Sequence, residues 1–298
     1  MRRTSKPGPR AQRWSFGLLV CVACAWFAAD ARPQEDPQQN PQQNPASTAR
    51  AELIAALEEQ GVHLDAASGV VSIAARVLVR DELLEYLLVG HGGAAHESLF
   101  GTDASASAIH TAMLLAGFEN GTNARWVPNP LGAEVGARRP SFEVLPPVSA
   151  PNGPDVHLYA AWRDGEELYF FRVDDLIADL SSGRAMRRHG WVYLGSREVP
   201  ARGSQPGGFA ADLLGNLISV SFFQEGTTLA TAALPECLDQ TIWAANPWLV
   251  PERDQPVRFL LSPKPLAALP EALAELVPSL VDAPAEVPAE APGPDGDG

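Results

Sequence analysis

The chain has 298 residues, 46% of them apolar, and carries 36 acidic against 22 basic side chains, a net charge of −14. That is enough chain for one large domain or two small ones. An acid excess of this size repels nucleic acid and anionic lipid, so no nucleic-acid partner is expected.

Arg2, Arg3, Lys6, Arg10 and Arg13 make a basic start, Trp14–Ala29 is apolar and uncharged, and Ala29-Asp30-Ala31 puts small residues where a signal peptidase reads. The pattern predicts a secretory signal peptide over residues 1–31, cleaved near Ala31, and therefore an exported protein, secreted or periplasmic. The apolar run is shorter than the ~20 residues a spanning helix needs. Membrane contact is then expected only through a retained signal anchor or lipidation at Cys24, where Cys21-Val22-Ala23 fits a lipobox poorly. Residues 32–47 repeat Pro-Gln-Gln-Asn and read as a disordered linker with nothing to bury.

From Thr48 the pattern becomes that of a folded domain, expected over residues 48–265. Leu53, Ile54 and Leu57 give a helix from Thr48 to Gln60 an apolar face, and Gly61 stops it. Val62–Leu64 reads as a short strand and Val70–Val79 as a longer, half-buried one, with Val71, Ile73, Ala75, Val77 and Val79 alternating. Leu83–Val89 is a nearly continuous apolar run, Gly90-His91-Gly92-Gly93 supplies turn residues, and His96–Phe100 resumes as a strand, so a hairpin is predicted here. Asp103 or Ser105 caps the helix that follows, which runs to about Ala116 and ends at Gly117. Leu84, Tyr86, Leu88, Leu99, Ile109, Met113 and Leu114 are its expected core.

Residues 120–148 read as a long loop with one strand at Ser141–Leu145. A second hairpin is expected from Val156–Arg163 and Leu168–Val173 around Asp164-Gly165. A short helix at Val173–Asp179 and strands at Trp191–Leu194, Asn216–Phe223 and Val257–Leu261 complete the domain. Residues 266–281 are compatible with a surface helix. Residues 282–298 hold five acids and no basic residue and read as a disordered solvating tail. Strands outnumber helices and short turns join most of them, which predicts an α+β fold: a largely antiparallel sheet with a few packed helices.

Three of the six histidines, His91, His96 and His110, fall within twenty positions, with Glu97 beside His96. His96, Glu97 and His110 are the candidate binding site. The spacing matches no strong zinc motif, so His96 and His110 are only weak metal candidates, and a structural bond to backbone is the alternative role for either. The Gly90–Gly93 run lacks the Lys-Ser/Thr ending of a phosphate loop. Cys21 and Cys24 sit in the leader, so only Cys237 remains, expected as a small buried apolar residue. Trp243 and Trp248 flank Asn246-Pro247, as core residues or as the lining of a groove.

Several of these stretches carry a resemblance. Glu85–Val89, His96-Glu97-Ser98-Leu99, Ile109-His110 with Ala112 and Leu115-Ala116-Gly117, Trp191–Ser196, Ala211-Asp212 before Gly215-Asn216-Leu217-Ile218, Asn246 and the closing Pro251–Pro263 stretch together resemble the YdjY-type domain of exported bacterial proteins, over about Val62–Pro265. The resemblance implies a fold and an export route more than a reaction. Some relatives carry iron–sulfur-type cysteine runs; this chain has none, so no iron–sulfur cluster or other cofactor is expected. The expected function is a non-enzymatic binding or structural module of the cell envelope, its partner an envelope protein or a small-molecule ligand. The alternative is a metal-assisted or general acid/base enzyme with His96 and His110 as ligands and Glu97 as base.

Overall fold

Alternation along Val70–Val77 decides the architecture. Val71, Ile73 and Val77 enter the main apolar core, while Ser72, Ala74 and Arg76 face the other way. In the computed structural model, which describes residues 45–126, 148–203, 206–223 and 225–278, this strand is one stave of a closed barrel. Eight strands form it: β1 (Val70–Val77), β2 (Tyr86–Val89), β3 (Ser98–Gly101), β4 (Asp155–Asp164), β5 (Trp191–Tyr193), β6 (Asn216–Ser219), β7 (Ala230–Thr231) and β8 (Pro256–Ser262). Neighbours follow the order β1-β8-β4-β5-β7-β6-β2-β3, and β3 returns to β1 through Arg76↔Gly101 and Val77↔Phe100. The β2/β3 and β6/β7 junctions are parallel and the others antiparallel. The strand Val62–Asp65 pairs with the first half of β1, and Glu167–Arg172 forms the second predicted hairpin with β4.

The expected α+β fold is therefore overturned. Among the described residues the fold is predominantly β, with only short helices beyond the first: α1 (Pro45–Glu59), α2 (Ala106–Leu115), α3 (Ala210–Leu214) and α4 (Glu271–Ala274). The physical reason is that closure is made by long-range pairs, and β7 is two residues long, too short to leave a periodic signal.

The predicted hairpin around Gly90–Gly93 is also corrected. β2 and β3 lie side by side but parallel, Tyr86 opposite Ser98 and Leu88 opposite Phe100. A return path this short is uncommon for parallel strands. Here the glycines let the backbone press against the α3–β6 junction: Gly90 N donates to Gly215 O at 2.7 Å, and a Cβ at Gly93 would stand 2.5 Å from that same oxygen. Ala94 N donates to Asn216 Oδ1, and a 3-10 turn at Ala95–Glu97, rather than a strand, then feeds β3.

Helix α2 forms as read. Ser105 caps it by accepting from Ala108 N, and Gly117 follows with φ of 90°. Ile109, Ala112 and Met113 are buried, as are Leu84, Leu88 and Leu99. Two core expectations fail: Leu114 is 48% exposed, because it lies on the opposite face of α2 from Ala112, and Tyr86 is half-buried. Residues 173–179 are a 3-10 turn followed by a strand, Ile177–Asp179, which joins Arg184–Ala185 and Trp243–Ala245 in a small separate sheet. Among the described residues of the predicted surface helix, only α4 is helical. Leu273 and Val277 bury instead against Val70, Tyr159, Ala161 and Leu260 on the outer face of β1, β4 and β8. The predicted leader, the linker up to Asn44, the strand at 141–145 and the acidic tail lie outside the described residues.

Candidate functional site

The three residues singled out by sequence fall in two places. His96 stands in the 3-10 turn with its side chain 83% exposed, and its Nε2 lies 3.8 Å from Glu97 Oε1. Glu85, the one polar break in the β2 apolar run, joins them: its backbone N–H donates to Glu97 O at 3.0 Å. Burial pushes the Glu85 carboxyl pKa up, and the charge of Glu97 adds to the rise. Sequence reasoning missed Glu85 because it stands apart from His96 in the chain and meets Glu97 only through the parallel β2/β3 pairing.

His110 belongs to α2. Its Nδ1 lies 2.5 Å from the Tyr193 hydroxyl on β5, and its ring is 5.2 Å from that of Phe209. Phe118 meets Tyr193 edge-on. Burial lowers the His110 pKa and raises that of Tyr193. A neutral imidazole bonded to a phenol ties α2 to the barrel wall. Among the described residues no group of three or more His, Cys, Asp or Glu side chains is placed to hold a metal ion.

An aromatic-lined concavity lies elsewhere, where β1 ends and β8 begins. Trp162 of β4 and Tyr169 and Phe171 of the paired strand alternate onto one face, and their rings are nearly parallel, at 10°, 18° and 11° to one another. Opposite them runs the loop Asn246–Gln255, and between the two is a groove of ≈ 520 Å³, within the ~300–1,000 Å³ usual for small-ligand sites. Trp248 of this loop is 91% exposed, while Trp162 at the floor is 4% exposed. The loop is held by Asn246, whose side chain accepts from Trp248 N at 3.3 Å and donates to Asp175 O at 3.0 Å. An indole presented this openly by an anchored turn is the kind of aromatic surface that ligands cover.

The groove's charges are largely paired with one another or with neighbours. Arg80 Nη1 lies 2.5 Å from Glu252 Oε1, and Arg253 pairs with Glu82 and donates to Leu78 O. Asp254 sits with φ of 62°, a conformation aspartate tolerates better than most residues, and its N–H donates to Val77 O. Arg80 Nε is buried with no hydrogen-bond partner among the described residues. Sequence had marked Trp248; the aromatic floor was missed because Tyr169 and Phe171 share a face with Trp162 only in the register of the hairpin.

A third cluster is centred on a buried carboxylate. The Asp174 carboxylate accepts from Arg172 Nε at 3.1 Å and from His189 N at 3.2 Å, and His189 Nδ1 lies 2.9 Å from it. Burial alone would raise the Asp174 pKa; the hydrogen bond and charge of His189 and the charge of Arg172 together outweigh it and hold the group below its usual range. Cys237 is buried as expected, and burial pushes its thiol pKa well up, which makes it a poor nucleophile.

No curated protein and no solved structure matches the chain. A family model does: the YdjY domain matches residues 62–262, from the strand ahead of β1 to the end of β8, and so spans every strand of the barrel. The chain belongs to the YdjY domain family.

Proposed function

We propose that this YdjY domain is a non-enzymatic binding module of the bacterial cell envelope, and that the groove between Trp162, Tyr169, Phe171 and Trp248 holds its ligand. The single observation that carries the reading is Trp248, 91% exposed on a turn anchored through Asn246 and facing a floor of three near-parallel rings. Export rests on the basic start and uncharged apolar run of residues 1–31. On this reading the mature protein is periplasmic or extracellular and begins near Arg32. Lipidation at Cys24 is the alternative anchor.

The test is hydrogen exchange of the full chain with and without detergent-solubilised envelope extract. Slowed exchange at residues 162–171 and 246–255, absent in Trp248→Ala, is the expected result. Protection confined to other surfaces overturns the assignment of the groove. N-terminal sequencing of the exported form checks the start at Arg32, and a lipidated Cys24 would contradict it.

A second reading, a metal-assisted or general acid/base enzyme centred on His96 and Glu97, with His110 apart from them on Tyr193, draws on one observation: the Glu85 carboxyl, raised in pKa beside Glu97, adjoins His96. Substrate turnover lost in His96→Ala, or near-stoichiometric bound metal lost in the same variant, would favour it over the binding module.

A further inference from the structure

We propose that the groove's ligand is an uncharged saccharide, seated with one pyranose face on Trp248; this rests on the reading of the groove as the ligand site. Two features of the groove select the ligand class. The first is its aromatic surface. A pyranose ring presents C–H bonds on its faces and hydroxyls around its edge, so it needs a flat apolar surface below and hydrogen-bonding groups at the sides. Trp248 offers that surface in the open, and Tyr169 and Phe171, both half-buried, offer a second across the groove.

The second feature is the state of the charges. Arg80 is neutralised by Glu252 and Arg253 by Glu82. Asp164 and Asp254 also line the groove and make no salt bridge among the described residues, so what is left over is acidic. A phosphate or carboxylate ligand would have to displace an existing pair and would meet these acids. A hydroxyl avoids both difficulties, because it donates to a carboxylate and accepts from a guanidinium at once.

The test is calorimetric titration of the full chain with two uncharged probes, cellotetraose and chitotetraose, alongside tetralysine and inorganic phosphate. At least one tetrasaccharide is expected to bind, with affinity at least tenfold weaker in Trp248→Ala and partly restored in Trp248→Phe. Because Trp248 is so exposed, Trp248→Ala should keep the wild-type melting curve, which separates lost binding from lost fold. If neither tetrasaccharide binds at millimolar concentration, the saccharide assignment is overturned. If tetralysine or phosphate binds instead in a Trp248-dependent way, the assignment falls but the groove stands as the ligand site. If a tetrasaccharide binds equally well to Trp248→Ala, both the assignment and the groove reading fail.

Discussion

Removing the Asp174 carboxylate should be among the most damaging single changes to the barrel. Its side chain is wholly buried, and it gathers Arg172, at 3.0 Å from Nη2, together with the backbone N–H and Nδ1 of His189. Arg172 is only 16% exposed and would keep, among the described residues, His189 O at 2.6 Å as its one hydrogen-bond partner, beside the Tyr159 ring 5.9 Å away. His189, whose ring lies 5.2 Å from that of Trp191, would lose its carboxylate partner and keep Arg187 O, 3.0 Å from Nδ1. Breaking a buried pair from one side costs about 3–5 kcal/mol, because the remaining charge is left without compensation. Against a total stability of about 5–15 kcal/mol, Asp174→Ala should fall by that amount at pH 7 and melt about 6–20 °C lower. The pH dependence follows from the depressed folded pKa. The unfolded chain binds the proton more readily, so this stabilisation is complete above the unfolded value of about 3.9 and disappears as pH falls through the lower folded value. Urea unfolding of wild type, Asp174→Ala and Asp174→Asn at pH 7 and near pH 3, followed by tryptophan fluorescence, measures both effects. A midpoint for Asp174→Ala equal to wild type at pH 7 would refute the reasoning, and so would a difference that does not shrink in acid.

Ile109→Ala should cost about 2–5 kcal/mol, the range for emptying a core site, since Ile109 is 1% exposed and shares the main core; a wild-type denaturant midpoint would show that α2 is not packed there. The lowered His110 pKa means that its contribution is complete above about pH 6.5 and lost as pH falls through the folded value, so the stability gap between wild type and His110→Gln should narrow in acid, read by melts at pH 7.5 and pH 5. Gly93→Ala should destabilise by forcing the turn off Gly215 O, whereas Gly92→Ala, with open space around it but φ of 78°, should suffer only the smaller backbone strain; thermal melts rank the two.

How much of this was legible in the chain depends on the range of the interaction. The alternation in Val70–Val77, the Asp164-Gly165 turn, the Ser105 cap and the Gly117 stop are local signals, and each marks the element it implies. The barrel is not local. Gly90–Gly93 carries the composition of a hairpin turn, yet it serves close approach to Gly215, a contact made across more than a hundred residues, and so β2 and β3 come out parallel. The same limit governs the sites. His96 and Glu97 were visible as neighbours in sequence, but Glu85 reaches Glu97 only through the β2/β3 pairing, and His110 meets Tyr193 rather than a second histidine. Trp248 was visible as an aromatic beside Asn246-Pro247; that it is exposed rather than core follows from the turn geometry Asn246 imposes.

The claim that the groove is the ligand site is tested most directly by the indole N–H signals of the full chain in a ¹H–¹⁵N spectrum. Envelope extract would be added first, then the two tetrasaccharides. The Trp248 and Trp162 signals, identified with Trp248→Phe and Trp162→Phe, should shift together and saturably, while those of Trp191 and Trp243, both buried away from the groove lining, stay in place. Shifts confined to Trp191 and Trp243, or ligand-induced changes centred on the amides of His96 and His110 with Trp248 unmoved, would contradict the account.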